Sequence, residues 1–206
     1  MWRLKAVREV AIAVYYGLLP LVAINILWFL LSLTIVLMPP ATAALYETAY
    51  LAKKGHSPSV QKFVAAIRHW LLKSWLWGVG SLLLIVAGAV AHKFYGTLEN
   101  PIGSLLLTTT MAILVFVGLV QFYFWPYMVA QEMPNIRRAM RNAAFTVLAD
   151  PILAFVYCGI TLVLVIASVL LIAPIALITP TVVAFLGVFS LLDWIRYHGL
   201  LPHQEP

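Results

Sequence analysis

The chain has 206 residues, of which 64% are hydrophobic and only 10% charged, with a mean hydropathy of +1.00. A soluble domain of this length does not carry that balance, so composition excludes one and points to a chain whose solvent is the lipid bilayer. The net charge of +6 is dispersed over segments bordering apolar runs; anionic lipid headgroups account for it, and nucleic acid need not be invoked.

Hydrocarbon offers no partners to backbone N–H and C=O groups, which leaves helices or a closed barrel. Barrel strands alternate apolar with polar residues, and no run here alternates, so the expected fold class is an all-α membrane protein, a polytopic helical bundle. The first uncharged run, residues 10–38, is long for one crossing. Pro20 is expected to separate an interfacial segment, 10–19, from a spanning one, 21–38. A cleaved leader is the competing reading, because residues 1–8 are basic and Ala41, Thr42 and Ala43 resemble a cleavage site; the apolar region is too long for a leader, so the segment is expected to stay. Residues 40–52 then form a short helix of about 18 Å that returns to the starting side.

An amphipathic helix is expected over residues 57–73, with Ser57 as its cap and Pro58 in the first turn. Val60, Phe63, Val64, Ile67, Trp70 and Leu71 recur at helical spacing, opposite Gln61, Lys62, Arg68 and His69, so it rests on the membrane surface or on the bundle. Spans are expected at 75–91 and 103–130, near the ~20 residues that cross roughly 30 Å of hydrocarbon. A second amphipathic helix, 134–148, sets Ile136, Met140, Ala143 and Val147 against Arg137, Arg138 and Arg141. Phe145 projects among those arginines, either as a contact for a partner or lipid headgroups or as an aromatic packed under a neighbouring loop. Two spans, 151–173 and 174–194, complete the series, the last kinked at Pro180.

If residues 40–52 return, the basic groups at 3–8, 53–73, 137–141 and 196 all face the cytoplasm and only Lys93 lies outside. The expectation is therefore six membrane segments in one domain, both termini cytoplasmic, with two cytoplasmic amphipathic helices. Trp70, Trp75, Trp77, Tyr123, Trp125, Tyr127, Trp194 and Tyr197 are expected to form an interfacial belt, and Trp28 to pack deep in the first span. A shift of 76 positions aligns Pro58 with Pro134, Val60 with Ile136, Val64 with Met140 and Leu71 with Val147, as a parallel repeat of halves 40–92 and 103–173 would; two short amphipathic helices also match by composition alone.

The chemistry is sparse. No phosphate loop, nucleophile elbow or H-E-x-x-H is present, Cys158 stands alone in an apolar run as a small packing residue, and no two of the five histidines share ligand spacing on one helix. Neither a cofactor nor a metal is expected. Buried polar groups in a membrane default to function. Glu47 leads: it either lines a substrate or ion path or pairs with Lys53, Lys54 or Arg68 near the interface. Asn25 and Gln121 are expected to bond across helices, Asp150 to cap a helix before Pro151, and Asp193 to pair locally with Arg196.

Asn25-Ile26-Leu27-Trp28, Ser32-Leu33 and residues 40–46, Pro-Ala-Thr-Ala-Ala-Leu-Tyr, resemble the N-terminal signature of the YesL-like bacterial integral membrane proteins, a family of unknown function. Phe63, Arg68, Lys73-Ser74, Pro126, Arg141-Asn142-Ala143 and Asp150-Pro151 continue the likeness in order; Thr34 departs where a proline is common, and Pro39 where a glycine is usual. The resemblance implies a multi-pass bacterial plasma-membrane protein, often encoded beside carbohydrate-uptake genes, with no catalytic residues to carry over. Three functions stand as expectations. The first is a non-enzymatic accessory or scaffold subunit linked to carbohydrate uptake, with Arg137, Arg138, Arg141, Phe145, Lys62 and Arg68 facing a protein partner, a second copy or lipid. The second is a small transporter with Glu47 in its path. A membrane enzyme is the third, with no nucleophile–base or metal constellation behind it.

Overall fold

The computed structural model describes residues 5–98, 100–170 and 178–199. Among these, eight helices run in order: α1 (Lys5–Tyr16), α2 (Leu18–Ser32), α3 (Met38–Lys53), α4 (Val60–Gly96), α5 (Pro101–Ala130), α6 (Ile136–Ala149), α7 (Pro151–Leu170) and α8 (Thr179–Tyr197). Four of them, α4, α5, α7 and α8, are long and apolar enough to cross a membrane, and the α1–α2 pair taken as one broken span makes a fifth. The expected six segments are therefore not all of spanning length. Helix α3 falls short at 16 residues and carries Glu47 and Lys53. Residues 171–177, the junction of the last two expected spans, lie outside the described residues.

The axes of α1 and α2 meet at 92°. Pro20 is the cause, although the break falls one turn earlier, at Gly17: proline has no N–H to give the carbonyl four residues back, at Tyr16. Helix α2 then stops at Ser32, short of the expected 38, in a tight turn whose residue Ile35 has φ 58°. Thr34 builds that turn, its hydroxyl donating to the Leu31 carbonyl at 2.6 Å and accepting from the Leu37 N–H at 3.2 Å. A left-handed backbone is costly for a β-branched residue, by about 1–2 kcal/mol. Ile35 is exposed, so Ile35→Asn loses little packing and is expected to raise stability by about 1 kcal/mol; an unchanged thermal midpoint in detergent would show the turn to be unstrained.

Prolines 39 and 40 occupy the first turn of α3, where their missing N–H groups cost nothing, and the alanine-rich helix that they open is buried among α2, α4, α5 and α8. Its last residue, Lys53, meets Glu9 of α1, so α3 does return to the end where α1 lies.

The largest departure is α4. The amphipathic segment and the span beyond it form one unbroken helix of 37 residues, about 55 Å long against roughly 30 Å of hydrocarbon. It starts at Val60, after Ser57 and Pro58, with Ser59 at the cap position. Phe63, Ala66, Ile67 and Trp70 pack inward, so this stretch is a stem docked on the bundle, whereas Val60, Val64 and Leu71 of the same expected apolar face stay exposed. Past the α2–α3 turn, where the Trp75 indole donates to the Val36 carbonyl and Pro39 abuts Gly78, α4 packs on α5; Gly88 admits Leu114 so closely that a Cβ there would lie 2.5 Å from it. The second half of the proposed repeat is built otherwise, with α6 and α7 separated at Asp150-Pro151 where the first half has Ser74-Trp75. Proline cannot continue the ladder and Asp150 caps α7, its carboxylate accepting from the Leu153 N–H at 3.1 Å.

Two more expectations fail. Pro180 lies in the first turn of α8 and cannot kink it. The interfacial aromatic belt is largely a buried core: Trp70, Tyr123, Trp125, Tyr127 and Trp194 are buried, and Trp125 stacks on Tyr46 and meets Trp70, Trp77 and Phe124 edge to face. Gly187 lets α8 into the same core, with Pro126 of α5 and Tyr46 of α3 so near that any side chain would meet both.

Candidate functional site

Charge concentrates where α1 crosses the end of α3 and α8. Lys53 donates to Glu9 and, at 2.8 Å, to Asp193, while its ammonium sits 4.5 Å from the centre of the Phe189 ring. The side chains of Lys53 and Asp193 are only 9% and 8% exposed, so this is a buried ion cluster; Lys5 extends it from solvent, 3.5 Å from Glu9. A cavity of about 320 Å³ adjoins the cluster, with Glu9, Lys53 and Arg196 in its wall.

Sequence reading misses this cluster. Asp193 pairs with Lys53, 140 residues away, and not with Arg196 as expected. The available signal is scarcity: seven acidic residues serve the whole chain, and an acid at position 193, inside the apolar run that ends at Trp194, calls for a partner.

Glu47 accepts a hydrogen bond from the Trp70 indole and lines neither described cavity. Its expected partners are placed elsewhere: Lys53 serves Glu9 and Asp193, Lys54 lies over the Tyr50 ring, and Arg68 is exposed. A partly buried carboxylate tied to an indole inside the aromatic core holds α3 to the α4 stem.

Asn25 and Gln121 both bond between helices. The buried Asn25 amide donates to the Leu21 carbonyl and the Thr181 hydroxyl, and its carbonyl oxygen accepts the Thr181 N–H at 3.2 Å. Thr181 is in the first turn of α8, whose N–H groups lack partners within the helix, so Asn25 caps α8 from α2. Gln121 accepts from the Trp77 indole at 2.7 Å and donates to Ser81 at 3.0 Å, clamping α5 to α4.

Helix α6 turns Ala139, Ala143, Thr146 and Val147 inward, and Tyr127 and Thr146 bond hydroxyl to hydroxyl at 2.6 Å. Outward it presents Arg137, Arg138 and Arg141, then Phe145 and Leu148 at 60% and 70% exposure, on positions three and four apart. Phe145 is therefore not covered by a loop; one edge meets Trp194, with centroids 6.5 Å apart. Lys62 and Arg68 are exposed on the α4 stem. Cys158 is partly buried in α7, and His203 lies outside the described residues.

No curated protein and no solved structure matches the chain. Residues 21–91, from α2 through most of α4, are similar to the family described as "Protein of unknown function, DUF624".

Proposed function

We propose that this is a non-enzymatic multi-pass protein of a bacterial plasma membrane, with both termini cytoplasmic, acting as an accessory or scaffold subunit of a membrane complex. The observation that carries the reading is the outward stripe of α6: three adjacent cations followed by two large apolar side chains, a pattern suited to a partner with an acidic, apolar-edged surface. Lys5, Lys53 and Arg196 gather at one end of the bundle, which supports a cytoplasmic assignment for that end. The finer likeness to YesL-like proteins supports a carbohydrate-uptake system as the setting. A permease path through Glu47 has less support, because that carboxylate is committed to Trp70 and borders neither described cavity.

Reversing Arg137, Arg138 and Arg141 to Glu together is expected to weaken recovery of the co-purifying partner by about tenfold or more while leaving helicity and monodispersity intact, since rim charges govern association more than fold. Mild-detergent purification from native membranes with quantitative mass spectrometry reads both. Equal stoichiometry in the triple variant would remove α6 from the interface.

A further inference from the structure

A second cavity, of about 520 Å³, lies between the α2–α3 hairpin and the α7–α8 pair. Trp28 forms one wall, Leu45 and Tyr46 the floor, Val183 the side against α8, and Val165 and Val169 the mouth. Four of its polar side chains are already matched within the protein: the Trp28 indole donates to Thr42 at 3.1 Å, the Thr42 hydroxyl to the Met38 carbonyl at 2.8 Å, and Ser168 and Thr179 bond to each other; Tyr46 adds a hydroxyl to an otherwise apolar lining. An occupant is therefore offered a mainly apolar surface. Val165 and Val169 are 42% and 72% exposed, so the cavity wall runs without a break into the outer apolar face of α7, where Ile166 and Leu170 are also exposed. The volume falls within the roughly 300–1,000 Å³ range of small-ligand pockets.

We infer that this cavity is a lateral site for a hydrocarbon chain, entered from the bilayer between α7 and the α2–α3 hairpin and filled by one acyl tail of a membrane phospholipid. The inference rests on the membrane reading above. A tail satisfies the wall because it brings no polar group, and it arrives from the phase that bathes the mouth. The headgroup stays outside and contributes no contact within the cavity.

The full chain is reconstituted into liposomes of phosphatidylethanolamine and phosphatidylglycerol doped with a phosphatidylcholine that carries a diazirine near the end of one acyl chain, then irradiated and mapped by mass spectrometry. Adducts are expected on Leu45 and Tyr46, which are buried from the outer surface yet line the cavity, as well as on Val163, which faces outward. Val183→Phe, which fills the cavity, is expected to lower the Leu45 and Tyr46 adducts about tenfold and leave Val163 unchanged, since the ring occupies the space through which a tail would reach those two residues. Val169→Trp, at the exposed mouth, repeats the test should the first variant fail to fold. The same labelling with a diazirine-bearing phosphatidylglycerol is expected, because the tail makes the contacts. Adducts confined to Val163, adducts that persist in both variants, labelling that tracks the headgroup, or copy-to-copy crosslinks through Val169 would each overturn the proposal. Loss of Val163 labelling together with release of the chain by alkaline carbonate would overturn the membrane reading itself.

Discussion

Lys53→Met is expected to destabilise the protein by about 3–5 kcal/mol, the cost of removing one partner from a buried ion cluster. Lys53 is the only cation ion-paired with Asp193 among the described residues, and its loss leaves that buried carboxylate uncompensated, whereas the more exposed Glu9 keeps Lys5 at 3.5 Å. The lysine stem itself is replaced almost isosterically, so the effect is electrostatic. Because the Glu9–Lys53 pair is the ionic link from α1 to α3, beside the apolar packing of Ala6 and Val10, the variant should also loosen α1, and limited trypsinolysis near Arg8 should become faster under native conditions. The triple variant Lys53→Met, Glu9→Gln, Asp193→Asn should recover much of the loss, since neutral groups need no counter-charge. Thermal unfolding in detergent reads the stability and proteolysis reads α1. A shift below about 1 kcal/mol in the single variant would mean that the cluster is solvated and worth no more than a surface pair.

Trp125→Ala is expected to cost a further amount of the same order, about 3–5 kcal/mol, for a different reason. In a bilayer the tails are as apolar as the protein interior, so burying an indole gains little from leaving water; the loss is one of packing, and the cavity left behind has no atoms to refill it. Trp125 meets four aromatic neighbours from α3, α4 and α5, and those rings cannot collapse together without moving three helices. Tyr197→Ala, 62% exposed near the end of α8, supplies the contrast and should change stability by less than about 0.5 kcal/mol. Comparable effects for the two would restore the interfacial belt as the better description of these aromatics.

The amphipathic faces are legible because helical spacing is local. Phe63, Ile67 and Trp70 turn inward on α4, and Ala143 and Val147 do so on α6, as their periodicity requires, while Val60, Val64 and Leu71 flank the α4 face and stay exposed. The fusion of the α4 stem with its span escapes a reading by hydropathy, because the change of polarity near Lys73 imitates a change of structure. Neither proline nor glycine stands between Val60 and Trp77 to break the ladder, whereas Asp150-Pro151 does break it between α6 and α7. That contrast is written in the residues. The aromatic core is not, because tryptophan suits both a membrane interface and a crowded interior, and composition cannot separate them.

By itself the sequence determined the all-helical class, four of the runs of spanning length, the capping by Asp150 and the arginine stripe of α6, all of which depend on residues within one helix or its cap. Only the tertiary structure decided that Glu9 and Asp193 share Lys53 across 44 and 140 residues, that Asn25 caps α8, and that Glu47 answers to Trp70. Propensity and periodicity act over one or two helical turns. Which charges meet, and which cavity stays open, depends on how distant helices cross, and no local pattern encodes that.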